Sequence, residues 1–65
     1  MEYKIFVKDE LDENICFKAK AYEIQDGCLK IFNGRVYDKT KKDWNDEEFN
    51  AVYPLHRVLV IDYME

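Results

Sequence analysis

The sequence predicts an all-β fold, either a small barrel or a strongly bent antiparallel sheet of five to six strands. Short apolar runs alternate with polar residues in the period of a β-strand. Asp-Gly and Asn-Gly dipeptides, which favour tight hairpin turns, separate several of these runs. No segment carries a helical period for longer than one turn, so helices are not expected.

The stretch from residue 21 to residue 37 predicts a three-stranded meander. Asp26-Gly27 and Asn33-Gly34 stand between three short apolar runs and contain the only two glycines of the chain. Both dipeptides adopt the positive φ angles of a type I′ turn, so two tight hairpins are expected. The expected cross-strand pairs, which would form the centre of the core, are Ile24 with Leu29, Tyr22 with Ile31, and Ile31 with Val36.

Alternation predicts further strands on both sides of the meander. The apolar phase of the second strand switches near Tyr22, which indicates a bulge or a sharp bend. Phe6 is an exception in the first strand, because it stands on the polar face. The last strand is a continuous apolar run and is expected to be buried on much of both faces. The predicted strands outside the meander, or overlapping its start, are Glu2–Lys8, Ile15–Ile24, Phe49–Tyr53 and Val58–Tyr63.

Two charged segments are predicted to be loops. Asp9–Asn14 is acidic and rich in turn-forming residues, and Lys39–Glu48 shows neither a strand nor a helix period. Pro54 is expected to end a strand because it has no N–H for the ladder. Leu55–Arg57 then forms a short connection to the last strand, with room for one 3₁₀ turn.

Composition places the chain among small soluble domains. Its 65 residues are expected to form one domain, 1–65, and 48% hydrophobic residues supply enough apolar material for a core. No run reaches the roughly 18 apolar residues that span a bilayer, and the charged N-terminus does not resemble a signal peptide. Cys16 and Cys28 are not expected to be cross-strand neighbours, since the turn places Cys28 opposite Gln25. Two unbridged thiols fit a cytoplasmic location without membrane contact.

The order of these features resembles that of small SH3-like barrels. The motif that carries the resemblance is Tyr53-Pro54-Leu55-His56-Arg57-Val58, in which a strand ends at proline and a tight turn leads into the last strand. The chain is also similar to the short acidic β proteins encoded by bacteriophages and other mobile elements. That resemblance implies a protein without a catalytic motif, of a kind in which some members bind and block a host protein, including defence enzymes. The loop Asp9–Asn14 lacks the aromatic pair with which SH3 domains bind polyproline.

Few residue types that perform catalysis are present, so no enzyme activity is expected. The chain has no serine, and it contains one threonine, Thr40, and one histidine, His56. A Cys–His pair would need Cys16 or Cys28 to reach His56, together with a third group that orients the histidine. No phosphate-binding glycine loop, CxxC or HxxxH spacing occurs, and the acidic run 43–48 lacks the glycine of a calcium loop. No cofactor or metal is expected.

Trp44 is the strongest candidate for a binding residue. It is the only tryptophan, and polar residues surround it in the predicted loop. An exposed tryptophan is a typical interface anchor, although the loop could also fold back so that Trp44 covers one end of the barrel. The acids expected to accompany it in partner binding are Asp43, Asp46, Glu47 and Glu48.

The charge pattern favours a protein partner. The formal net charge of −4 disfavours extended contact with nucleic acid. If the acids at 9–13 and 43–48 lay at one end of the fold, they would form a negative patch for a basic host protein. Solvated loops remain the alternative.

Two other kinds of binding stay open. A nucleotide-binding site at a homodimer interface would use Lys30, Arg35 or Arg57. A single-stranded nucleic acid would instead stack on the strand surface, using Lys18, Lys20, Lys30, Tyr22, Phe32 and Tyr37. Homodimerisation is a separate expectation, because a small open sheet exposes its edges.

Overall fold

A computed structural model describes residues 2–64 of the chain, and the predicted all-β class is confirmed. The residues form an antiparallel sheet that curls into a half-barrel, consistent with a small SH3-like barrel. The predicted 3₁₀ turn is present at Leu55–Arg57. The strands are β1 (Glu2–Lys8), β2 (Asn14–Ala19), β3 (Ala21–Gln25), β4 (Cys28–Asp38), β5 (Asp43–Trp44), β6 (Phe49–Pro54) and β7 (Val58–Met64).

The long strand β4 organises the sheet. Its first half lies between β3 and β6, and its second half lies between β2 and β5. Beyond β2 follow β1 and then β7, so that β3 and β7 stand at the two ends of the path β3-β4-β2-β1-β7. All these pairings are antiparallel, which explains why short turns suffice to connect most of the strands.

The hairpin predicted at Asp26-Gly27 is confirmed. Asp26 and Gly27 have φ angles of 55° and 73°, and they join β3 to β4 with Gln25 opposite Cys28. The same ladder confirms the expected pairs, Ile24 with Leu29 and Tyr22 with Ile31. Cys16 and Cys28 are both free.

The prediction of a second hairpin at Asn33-Gly34 is wrong. β4 runs through this dipeptide without reversing, and Asn33 with its φ of 52° forms a bulge where the register with β6 shifts. Ile31 and Val36 therefore belong to the same strand and do not face each other. The bulge lies across from the bend at Lys20, between β2 and β3, so the two long strands bend together. The bend predicted near Tyr22 is therefore present, at Lys20, where it divides the predicted strand Ile15–Ile24 into β2 and β3.

The core lies on the concave side of the sheet and differs in part from the prediction. Leu29 and Ile31 are fully buried as expected, whereas Tyr22 and Ile24 are 36% and 54% exposed. Those two side chains belong to β3, which has β4 on one side only; Tyr22 meets the ring of Tyr3 on β1 edge to face, with centroids 4.8 Å apart, but stays partly open to solvent. Val36 is half-buried against the core. The buried hydrophobic residues are Ile5, Val7, Phe17, Ala19, Leu29 and Ile31.

Two predictions about the C-terminal half also need correction. The last strand, β7, is not buried on both faces, because it pairs with β1 alone and leaves Leu59, Val60 and Tyr63 about half exposed. The segment 39–48 is not one long loop, since it contains the short strand β5. This strand left no period in the sequence because two residues are too few to show one.

Candidate functional site

A tight turn places Trp44 on the sheet. Residues 39–42 reverse the chain after β4, with Lys42 N donating to the carbonyl of Asp38 at 2.8 Å. The carboxylate of Asp38 accepts hydrogen bonds from the backbone N–H groups of Thr40 and Lys41. This turn brings Trp44 opposite Tyr37 and Asp43 opposite Asp38.

Trp44 packs against the convex outer face of the sheet. Its ring meets Tyr37 edge to face, with centroids 5.3 Å apart, and the Lys18 ammonium lies 5.7 Å from the ring centroid. The following residue, Asn45, donates its N–H to the Val36 carbonyl, and the Asn45 carbonyl accepts a hydrogen bond from Arg35 Nε. The segment therefore folds back, and Trp44 is half-buried beside Tyr37.

The acids next to Trp44 remain at the surface. Asp43, Asp46, Glu47 and Glu48 are exposed, and Glu48 forms an ion pair with Lys20 at 3.5 Å. Lys20 follows the end of β2, whereas the acidic segment 9–13 precedes its start. The length of β2, about 20 Å for six residues, therefore separates Glu48 from those acids. Asp43 pairs with Asp38, which continues the β2–β4 register toward the start of β2, so the acids at 43–48 extend along the sheet and do not gather at one end.

The outer face also carries a groove next to the Tyr37–Trp44 pair. Its volume is about 480 Å³. Phe6 lies opposite Cys16, and continuing the β2–β4 register brings Tyr37 to the other side of Cys16. The residues that line the groove are Lys4, Phe6, Asn14, Ile15, Cys16, Tyr37 and Lys39.

The other predicted binding residues are divided among three places. Arg35 and Tyr37 adjoin Trp44, as described above. Lys30 and Phe32 lie on β4 before the bulge, where the Lys30 ammonium donates to Gln25 Oε1 at 3.2 Å. Arg57 follows β6 and donates to the carbonyl of Asp9. The structure therefore brings only Arg35 and Tyr37 of this set to the surface around Trp44.

Nothing in the sequence marks Lys4 or Lys39 as site residues, and Cys16 stands out there only as a candidate partner for His56. Phe6 did indicate a feature on the outer face, because an aromatic residue on the polar face of a strand points away from the core. The neighbours of Phe6 depend on strand register, which alternation along one strand does not determine.

The thiol in the groove is not an activated nucleophile. Burial raises the pKa of Cys16 above its ordinary value of 9.0, and the nearby Lys4 opposes this rise only in part. The thiol is therefore protonated at neutral pH, whereas nucleophilic attack requires the thiolate. Within residues 2–64, no group of three or more His, Cys, Asp or Glu side chains is arranged to hold a metal ion.

Comparisons of the chain with protein-family models, with curated proteins and with solved structures found no match. Among the described residues, no helix has the length and apolar character needed to cross a membrane. The fold and the surface define the class as a small half-barrel β domain with an aromatic, lysine-lined outer face.

Proposed function

We propose that this protein is a non-enzymatic interaction module that binds a partner protein on the outer face of its sheet, around Trp44. The observation that carries this proposal is the position of Trp44, half-buried beside Tyr37 and bordered by exposed carboxylates. Tryptophan is enriched among the residues that dominate protein interfaces. A partly covered ring also loses less conformational freedom on binding than a mobile one.

The charges around Trp44 favour a partner with a basic surface. Asp43, Asp46 and Glu47 are exposed next to the ring, and none of them forms an ion pair within residues 2–64. Basic groups on a partner would meet these carboxylates at the rim, where such contacts speed association and select the partner. The apolar centre and polar rim match the usual anatomy of a protein interface.

A more specific form of the proposal is an accessory or inhibitory protein of a phage, acting against a host defence protein in the bacterial cytoplasm. It is supported by the resemblance to short acidic phage β proteins and by the two free thiols, which suit a reducing compartment. Homodimerisation belongs to the same proposal, since β3 and β7 each have one strand partner.

The test is quantitative capture from bacterial lysate with the wild type, Trp44→Ala and Leu11→Ala. Leu11 is 80% exposed in the segment 9–13, so Leu11→Ala is a matched apolar truncation away from Trp44. A partner bound through Trp44 should be recovered with wild type and Leu11→Ala but fall about tenfold or more with Trp44→Ala. Equal recovery with all three proteins would exclude the role of Trp44.

A charge-reversal variant provides a second test that does not depend on whether Trp44→Ala folds correctly. Glu47→Lys changes an exposed residue that forms no ion pair within residues 2–64, so the fold should be retained. Binding should weaken and its dependence on salt should decrease, because a rim charge acts mainly on association. Unchanged affinity and salt dependence would show that the acidic rim does not face the partner.

A further inference from the structure

The groove on the outer face exists because a small side chain separates two aromatic ones. Phe6 on β1 and Tyr37 on β4 stand two strand spacings apart, about 10 Å, and the short side chain of Cys16 lies between them. All three are half-buried, so their surfaces are partly covered by neighbours and partly open to the groove. A planar ring placed over Cys16 would contact an aromatic side chain on either side.

The charge of the groove is opposite to that of the chain as a whole. Among residues 2–64, two lysines, Lys4 and Lys39, line the groove and no carboxylate does so, although the chain has a formal net charge of −4. Within residues 2–64, neither lysine takes part in an ion pair, whereas Lys18 is paired with Glu2 at 3.6 Å. The Lys4 ammonium lies 5.9 Å from the centroid of the Phe6 ring. Positive charge and aromatic surface therefore meet in one cavity.

We propose that this groove binds a nucleoside phosphate, with the base against Phe6 and Tyr37 and the phosphate at Lys4 or Lys39. Every nucleobase has a face that stacks on an aromatic ring, and lysine binds phosphate as a point charge. The volume of about 480 Å³ lies within the range of small-ligand sites. This inference goes beyond the protein partner proposed above: the two sites are neighbours that share Tyr37, but nucleotide binding is measured without any protein partner.

A free nucleotide fits the charges better than a nucleic-acid strand does. Only two ammonium groups line the groove, enough for one phosphate group, and the net charge of the chain repels an extended polyanion. A strand would need a continuous cationic track. On the same face, Lys18 and Lys20 already have carboxylate partners in Glu2 and Glu48.

The alkylation rates of the two cysteines report whether the groove is occupied. Each of the four nucleoside monophosphates is added at millimolar concentration, and alkylation of Cys16 and Cys28 is followed by mass spectrometry. Cys16 lines the groove, whereas Cys28 begins β4 beside the Asp26-Gly27 turn. At ten times the dissociation constant, a bound nucleotide should slow alkylation of Cys16 about tenfold and leave that of Cys28 unchanged. The proposal is overturned if none of the four nucleotides protects Cys16, or if both cysteines are protected equally.

Matched variants and ligands identify the groups involved. Lys39→Gln should weaken protection about tenfold, whereas Lys42→Gln, an exposed lysine of the same turn that does not line the groove, should not. The nucleoside without phosphate should protect less than the nucleotide. Equal protection by inorganic phosphate alone, or binding only of a single-stranded oligonucleotide, would overturn the assignment of a nucleotide. Unchanged Cys28 reactivity confirms that each variant is folded.

Discussion

Tyr37 and Trp44 face each other across the β4–β5 ladder, with ring centroids 5.3 Å apart and ring planes at 78°. The ladder between these strands has only two residue pairs, so the aromatic contact adds to the hydrogen bonds of Asn45 with Val36 and Arg35 in holding β5 in place. An edge-to-face pair contributes about 0.5–1.5 kcal/mol beyond the area it buries. The position of Trp44 thus depends directly on Tyr37.

Replacement of Tyr37 by leucine should release Trp44 toward solvent. We expect Tyr37→Leu to shift the emission of the single tryptophan to longer wavelength and to lower the free energy of unfolding by about 1 kcal/mol. Tyr63→Leu is the control, because Tyr63 contacts Tyr3 on β1 and lies on a different strand from Trp44. Emission that stays the same in Tyr37→Leu would show that the backbone alone positions β5.

Gly34→Ala should destabilise the fold by about 1–3 kcal/mol, the usual cost of overpacking a core. A Cβ at residue 34 would lie 2.9 Å from Ile31 Cγ2 and 3.1 Å from Phe17 Cδ1, and both of those side chains are buried. Urea denaturation measures the change. Asn33→Gly is the matched control. Asn33 already has a positive φ, which glycine adopts freely, so the stability of this variant should stay close to that of the wild type. A Gly34→Ala variant as stable as Asn33→Gly would contradict the packing argument.

Asp9→Ala should loosen the first loop. Asp9 Oδ1 accepts hydrogen bonds from the N–H groups of Leu11 and Glu13, both at 2.9 Å, and so adds to the backbone bonds that Asp9 makes with Asp12 and Glu13. Loss of these exposed bonds should cost about 1 kcal/mol, measured by urea denaturation. Glu10→Ala removes a neighbouring exposed acid without a hydrogen bond in this turn and should have little effect. Equal stability of the two variants would argue against this role of Asp9.

Stability should decrease in alkaline solution. Burial raises the pKa of Cys16 above 9.0, and burial together with Asp9 raises the pKa of Tyr53 above 10.0. The folded state therefore holds these protons more tightly than the unfolded chain, so the stabilisation is complete below pH 9 and is lost as the pH rises through the folded values. We expect the free energy of unfolding to fall above pH 9 and to fall less steeply in Cys16→Ala. An equal slope in the variant would exclude Cys16 as a source.

The free edge of β7 predicts self-association. Within residues 2–64, β7 pairs with β1 alone, and Val60 on β7 is 45% exposed. Sedimentation equilibrium should detect a dimer that Val60→Lys dissociates, because charge on an edge strand opposes strand pairing. Val52→Lys places the same change at a 60% exposed residue of β6, which likewise has one strand partner, and it should leave a dimer that forms through β7 intact. A monomer at every concentration of the wild type would exclude this prediction.

Much of the fold could be predicted because it depends on local conformational preference. Asp26-Gly27 forms its hairpin since both residues accept positive φ, and Pro54 leads into the 3₁₀ turn as expected. The site was predictable only in part. Trp44 was identified by its polar surroundings, but its packing on Tyr37 depends on a turn whose two-residue strand leaves no period in the sequence.

The sequence by itself determined the strand class, the first hairpin and the bend between β2 and β3, because alternation and turn chemistry act over a few neighbouring residues. The tertiary structure decided whether Asn33-Gly34 would turn or bulge. Phe17 occupies the space beside Gly34, and partner strands on both sides extend β4 past the dipeptide. The tertiary structure also determined the groove, because Phe6, Cys16 and Tyr37 belong to three different strands. Only the register of those strands, set by burial of the opposite face, brings these side chains into one row.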